Sequence, residues 1–258
     1  MLVTVLGLLL LPHLWTAGRV AGQEHWSRAR WDSAGIAPDP AATSEAVIQV
    51  YAARTWGWKG IFAVHSWIAM KRAGAAHFDR YEVVGWGVGR GAPAVRLNRH
   101  APDGYWAGNR PEILLDRRGP AVEALIDRLE AAITDYPYPD RYRSWPGPNS
   151  NTFTAYLGRT VPELGLTLPP TAVGKDYLGA TEFLGSTPSG TGYQLNLMGV
   201  AGLSIGLAEG LELNLFGLTL GIDPLGLALK FPGVGRVGFG RSAIAAGSPL
   251  ASSERGQR

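Results

Sequence analysis

Ser150, His65 and Asn98 are the residues of this chain whose types and surroundings could carry out nucleophilic chemistry. Ser150 lies in Trp145-Pro146-Gly147-Pro148-Asn149-Ser150-Asn151-Thr152-Phe153, where two prolines deny the backbone a helix and push the residues before them toward extended geometry. Helix-compatible sequence follows at once, with Phe153, Tyr156 and Leu157 spaced i, i+3, i+4 on one face. The expected helix begins between Asn149 and Asn151. Ser150 then sits at its N-terminal end, where unpaired N–H groups and the positive end of the helix dipole favour developing negative charge. The competing reading is that Ser150 only caps, since Ser and Asn are preferred at that position. His65, in the apolar run Phe62-Ala63-Val64-His65-Ser66-Trp67-Ile68, would be the general base. Asn98 would orient its imidazole, with Glu82 as runner-up.

A loop rich in Gly, Trp and Arg, residues 103–111, offers substrate contacts through Tyr105, Trp106, Asn109 and Arg110, and the Arg110 guanidinium suits a carboxylate or phosphate. Trp145 and Asn149 flank Ser150 and complete the expected substrate-binding set. His77 and His100 have no acidic or imidazole neighbour at ligand spacing, and the chain has no cysteine, so neither a metal nor another cofactor is expected. The net charge of +3 is spread without a basic block, which argues against nucleic acid as a partner. A small molecule, lipid or peptide is the expected ligand class.

The elements that must position these residues are legible to different degrees. Thr43 or Ser44 is expected to cap a helix running to about Arg54, with Ala46, Val47, Val50, Tyr51 and Arg54 on its contact face. Residues 61–71, 81–88 and 94–99 read as three strands of an antiparallel meander. With symmetric hairpins His65 would face Trp86, and Glu82 and Asn98 would share its face further along. Gly119-Pro120 opens a helix to about Thr134, whose 3.6-residue period is carried by Val122, Leu125, Ile126, Leu129 and Ile133. Lys175 and Asp176 read as a solvated turn. From Tyr193 to Leu229 leucines alternate at period two, which gives a Gly-rich β meander with one apolar face, expected to be buried in a core, the alternative being a separate small sheet packed on the membrane or on a partner. Gly233-Val234-Gly235-Arg236-Val237-Gly238 spells a dinucleotide fingerprint but lacks the βαβ unit that would give it meaning.

Residues 1–22 form an expected secretory signal or membrane anchor: no charged side chain occurs before Arg19, and the stretch is near the lower length for a span. Residues 31–178 are expected to form an α+β core, 179–240 a Gly-rich β extension and 241–258 a disordered tail. The location implied is the membrane and cell envelope, with the side open.

Two resemblances accompany this reading. A His on a strand, a further strand and then Asn149-Ser150-Asn151-Thr152-Phe153 opening a helix looks like the circularly permuted papain-like hydrolases, among them the lecithin–retinol acyltransferase-like proteins and NlpC-type peptidases. That resemblance implies a papain-like core with Ser150 in place of the thiolate, a weaker nucleophile at neutral pH. More closely, residues 31 to about 235 resemble the bacterial domain of unknown function 3750 through Ser33-to-Pro40, Val50-to-Gly57, Gly108-to-Glu112 and Gly147-to-Phe153. The functions in view are therefore amide hydrolysis or acyl transfer by a Ser–His pair, or a non-catalytic envelope protein that uses the same cleft to bind.

Overall fold

The structure, a computed structural model, describes residues 13–14, 16–18 and 22–239. Two antiparallel sheets dominate it. The first is built from β1 (Val47–Arg54), β2 (Val64–Lys71), β3 (Asp79–Val83), β4 (Val95–Asn98) and β5 (Glu112–Arg118), in the order β4-β3-β2-β1-β5. Two helices, α1 (Val122–Thr134) and α2 (Ser150–Thr160), pack with one face of this sheet in a single apolar core. The class is α+β, with strands predominating.

The stretch expected to be a helix before Arg54 is instead β1, the strand between β2 and β5. Its apolar residues satisfy either period, because seven of its eight residues are buried and both faces are covered. Ile48, Val50 and Ala52 join the helix-side core, and Val47, Tyr51 and Ala53 join a second cluster on the other side. β-branched Val47, Ile48 and Val50 fit a pleated surface better than a helix. Strand β5, not expected from the sequence, pairs with β1 along the opposite edge from β2.

The second face of the sheet is covered by irregular chain, residues 22–44 and 99–111. Asp103 holds these two segments together: its carboxylate accepts from Ser33 Oγ at 2.7 Å and from the N–H groups of Ile36 and Ala37 at 2.7 and 3.1 Å.

The second sheet is β6 (Leu184–Ser186), β7 (Gly192–Leu197), β8 (Ala201–Gly206), β9 (Gly210–Leu215), β10 (Leu218–Asp223), β11 (Ala228–Phe231) and β12 (Gly235–Gly238), each paired only with its sequence neighbours. The turns are set by side chains. Asn214 Oδ1 accepts from Gly217 N at 3.1 Å and Asp223 Oδ1 from Gly226 N at 2.8 Å, while Asn196 does the same for Gly199. Met198-Gly199 (φ 54°, 78°) and Phe216-Gly217 (φ 55°, 84°) adopt the paired positive φ that matches the twist of a hairpin. A Cβ on Gly199 would meet Pro146 Cβ at 2.7 Å, and one on Gly217 would meet Val173 Cγ1 at 2.9 Å, so these turns press against the loops around α2.

This sheet is inverted relative to expectation. Its alternating leucines point outward: row by row, Tyr193, Ile205, Leu211, Ile222, Leu229 and Val237 are exposed cross-strand neighbours. Leu195, Leu203 and Leu213 form a second exposed row. The inward face carries Gln194, Asn196, Ser204, Glu212, Asn214, Thr219, Asp223 and Lys230, all buried. Lys175 and Asp176, expected to be solvated, are buried as well. Lys175 Nζ donates to Asp176 Oδ1 and Glu212 Oε2, each at 2.6 Å, and Asn214 Nδ2 donates to Asp176 Oδ2 at 2.8 Å. Lys230 completes the bridge from the other side of Glu212. Burial disfavours a charged Lys175, but the two carboxylates outweigh it and raise its pKa, and the same lysines hold Glu212 ionised against its own burial. The inward face can therefore stay charged, and the apolar residues of each strand are left on the outside.

Most of the expected N-terminal anchor and the expected tail lie outside the described residues. Among the described residues, no helix is long and apolar enough to cross a membrane. His13 and Thr16 are described: the His13 ring lies 4.4 Å from that of Phe62, Thr16 Oγ1 donates to Ile61 O at 3.0 Å, and a Cβ on Gly233 would strike His13. The N-terminal stretch thus meets the fold beside the β11–β12 turn.

Candidate functional site

The structure does not bring Ser150 and His65 together. Successive strand residues face opposite sides of a sheet, and β2 shows this directly. Ser66 faces α2, with its Oγ 2.7 Å from both Asn151 Oδ1 and Thr154 Oγ1. His65, one residue earlier, faces the other way and stacks on Trp106 with ring centroids 3.5 Å apart. The sheet lies between nucleophile and base, so the expected Ser–His hydrogen bond is absent and the pair needs correction.

At the start of α2 the cap is Asn149. Its Oδ1 accepts from Asn151 N at 2.9 Å and Thr152 N at 3.1 Å, and Thr152 Oγ1 accepts from Asn149 N at 3.1 Å, forming a capping box. Asn149 Nδ2 donates to Ser144 O and Val173 O, at 3.1 and 3.0 Å. The residue expected to contact substrate therefore ties three pieces of backbone together, and Ser150 is the first residue of the helix. The N–H groups expected to form an oxyanion hole are spent on the cap. Trp145 is half exposed and lies against the β9–β10 turn, where a Cβ on Gly217 would meet its ring at 3.1 Å.

His65 belongs to a different cluster. Its Nε2 is 3.4 Å from Glu82 Oε2, which also accepts from Arg80 Nη2 at 2.9 Å, and Asn98 Nδ2 donates to Glu82 Oε1 at 2.7 Å. The sequence brought the right residues to one face in other roles: Glu82 touches the imidazole, and Asn98 holds Glu82. Tyr81 pairs with Ile68 and Arg80 with Ala69, two residues away from the expected offset, and an even slip leaves the faces unchanged. Burial lowers the pKa of His65 more than Glu82 can raise it, so the ring is neutral and donates to the carboxylate. Burial would raise Glu82, but the His65 hydrogen bond and the Arg80 charge outweigh it and hold its pKa at about 2.

Trp106 covers this cluster, stacked on His65 and also on Trp86, the latter with ring centroids 5.4 Å apart. Arg80 lies over the Trp67 ring at 4.3 Å and donates to Ala101 O at 3.0 Å, and Trp67 Nε1 donates to Pro102 O at 2.7 Å. The two hydrogen bonds pin the 99–111 loop, and among the described residues no hydroxyl or thiol hydrogen-bonds to the imidazole. Asn109 closes a tight turn onto Trp106 and accepts from Gln23 Nε2 at 2.9 Å. Trp106 and Asn109 are thus parts of the loop's own architecture. Arg110 differs, because it is exposed and lines a cavity of about 350 Å³ between the two sheets. Among the described residues no three His, Cys, Asp or Glu side chains converge on a possible metal position.

Fold and site together define a two-sheet α+β protein in which buried His65, Glu82, Lys175, Asp176, Glu212 and Lys230 pair with one another or with neighbouring side chains, and whose outward sheet face is apolar. The family model described as Protein of unknown function (DUF3750) matches residues 45–177, about half the chain, and the chain belongs to that family. The match spans the first sheet and both helices and ends at the buried Lys175–Asp176 pair, before the second sheet begins. No curated protein and no solved structure matches the chain.

Proposed function

We propose that this is a non-catalytic envelope protein that lies on a lipid bilayer through the outward face of its second sheet, with the papain-like reading of the core kept as scaffold and not as chemistry. The observation that carries this is the absence of any charged side chain from the exposed rows of that face. Seven strands about 4.8 Å apart, three to six residues long, give a face of roughly 29 by 17 Å, on the order of 500 Å². That is already in the upper part of the range for the largest apolar patch of a soluble monomer, about 300–600 Å².

The surroundings of the face favour lipid over a second protein. A protein interface has a polar rim, whereas here the apolar surface continues over both ends of the strands. Met198 and Phe216 are exposed at one end, and Leu207, Leu225 and Leu227 at the other. Residues 1–12, without a charged side chain, precede His13, which is packed beside the last hairpin of the same sheet.

The test exploits a chain without cysteine. Leu213→Cys on the face and Ala124→Cys on the exposed side of α1 are each labelled with an environment-sensitive fluorophore and mixed with phosphatidylethanolamine–phosphatidylglycerol vesicles carrying a lipid-depth quencher. Quenching at position 213 and not at 124 is the expected result. Absence of quenching at both positions overturns the proposal, and efficient disulfide cross-linking of two Leu213→Cys copies would assign the face to self-association instead.

A further inference from the structure

The cavity between the sheets is framed by the end of β1, the start of β5, residues 167–171 and the inward face of β10 to β12. Its volume, about 350 Å³, lies at the lower end for small-molecule sites, roughly 300–1,000 Å³, and a junction between two packed units is where such sites concentrate. Its wall is apolar along Ala52, Val64, Leu114, Leu168 and Pro169. Most of its polar groups are already engaged. Arg236 Nη2 donates to Asp223 Oδ2 at 2.9 Å, Lys230 is held by Glu212, and Arg54 donates to Val234 O at 3.4 Å.

Three groups stand apart. Arg110 and Glu112, two residues apart and both exposed, line the cavity, and neither side chain has a hydrogen-bond or ion-pair partner among the described residues. They do not bridge one another, which places their charged atoms more than a salt bridge apart. Thr167 Oγ1, also on the cavity wall, is buried without a hydrogen-bond partner, an unfavourable arrangement for a polar group.

We infer that this cavity binds a small zwitterion, a phosphate or carboxylate held by Arg110 with an ammonium group a few bonds away held by Glu112. A guanidinium fork matches the two oxygens of such an anion. Glu112 would repel a simple anion and attract one that carries its own cation, so the pair selects for the combined charge. The apolar wall accommodates a short hydrocarbon portion, and Thr167 Oγ1 supplies a hydroxyl that can turn toward the ligand. Free phosphoethanolamine and the headgroup of phosphatidylethanolamine share this chemistry. The site stands independently of bilayer docking.

Calorimetric titration of the full chain with phosphoethanolamine, inorganic phosphate and dihexanoyl-phosphatidylethanolamine tests it. Phosphoethanolamine is expected to saturate a single site and inorganic phosphate to bind at least tenfold more weakly. Arg110→Gln should weaken both at least tenfold, since one charge-assisted hydrogen bond corresponds to about that factor. Glu112→Gln should erase the preference for phosphoethanolamine while leaving phosphate in place. Both side chains are exposed, so circular dichroism of the variants should match that of the parent protein. Tighter binding of the short-chain lipid would assign the site to a lipid headgroup, and equal binding to a free solute. No saturation by any of the three probes, or binding unchanged by Arg110→Gln, overturns the inference.

Discussion

The two sheets of this protein are built on opposite plans. In the first, β1 and β2 are buried on both faces, mostly by apolar side chains, and closed in by helices on one side and by the Trp106 loop on the other. In the second, the face toward the protein is charged and hydrogen-bonded, and the face toward the surroundings is leucine. Both sequences look equally suited to a core. What separates them is the partner each face meets: Lys175, Asp176 and Arg159 from the family domain demand charged and amide partners, and Glu212, Asn214 and Gln194 supply them. Period-two alternation tells that a strand has two unlike faces, and the residues packed against it decide which one is inside.

One lysine placed in each sheet should have opposite effects. Val50→Lys, in the closed sheet, should prevent folding, because an unpaired charge would be buried among α1, α2 and the strands. Leu213→Lys, on the outward row, should change the unfolding free energy in detergent by no more than about 0.5 kcal/mol while weakening vesicle binding. Urea unfolding followed by tryptophan fluorescence reads the first effect and vesicle co-sedimentation the second. A Leu213→Lys protein that fails to fold would show that this face is a core after all.

Next in size is the ionic bridge. Glu212→Leu leaves Lys175 and Lys230 buried with a shared partner removed, and a loss of about 3–5 kcal/mol is expected in denaturant unfolding. If the loss is under about 1 kcal/mol, the inward face is wetter and less demanding than its geometry implies.

Acid acts on the first sheet through His65 and Glu82. His65 has a folded pKa below its unfolded value, so stability falls as pH drops below about 6.5 and the unfolded chain takes up the proton first. Glu82 has its pKa held at about 2 against an ordinary value of 4.5, so its contribution is full above about 4.5 and is lost as pH falls toward 2, by about 3 kcal/mol in all. Glu82→Gln should flatten the lower limb of the stability–pH curve and His65→Gln the upper limb. Unchanged curves in both variants would count against a neutral imidazole on an ionised Glu82.

The smallest effects separate cap from nucleophile. Asn149→Ala should cost about 1–2 kcal/mol by removing the cap of α2, and Ser150→Ala less than about 0.5 kcal/mol. Labelling by a serine-directed fluorophosphonate that disappears in Ser150→Ala would restore the catalytic reading.

How far the sequence could be read follows the same division. The meander of β2 to β4, α1 and the start of α2 were legible, because hairpin turns, a 3.6-residue apolar stripe and the Pro146–Pro148 break are local signals. β1 was misread as helix because burial on both faces erases the distinction between periods. For the site, Glu82 and Asn98 were placed on the face of His65, which alternation along strands provides. That Ser66 rather than His65 faces α2 depends on a single-residue parity, and no local signal announces it. Lys175 and Asp176 looked solvated because their partners Glu212 and Asn214 lie 37 and 38 residues away.

The second sheet pairs each strand only with the one before and the one after it. Its breadth is therefore a count of hairpins, three of them closed by an Asn or Asp side chain, and no strand pairs with a distant one to find its place. Adding or deleting one two-strand unit at the β12 edge would leave every remaining register intact. The extent of the apolar face can then change by about 10 Å per hairpin without redesign of the domain beneath it, much as a panelled surface is widened by one more panel.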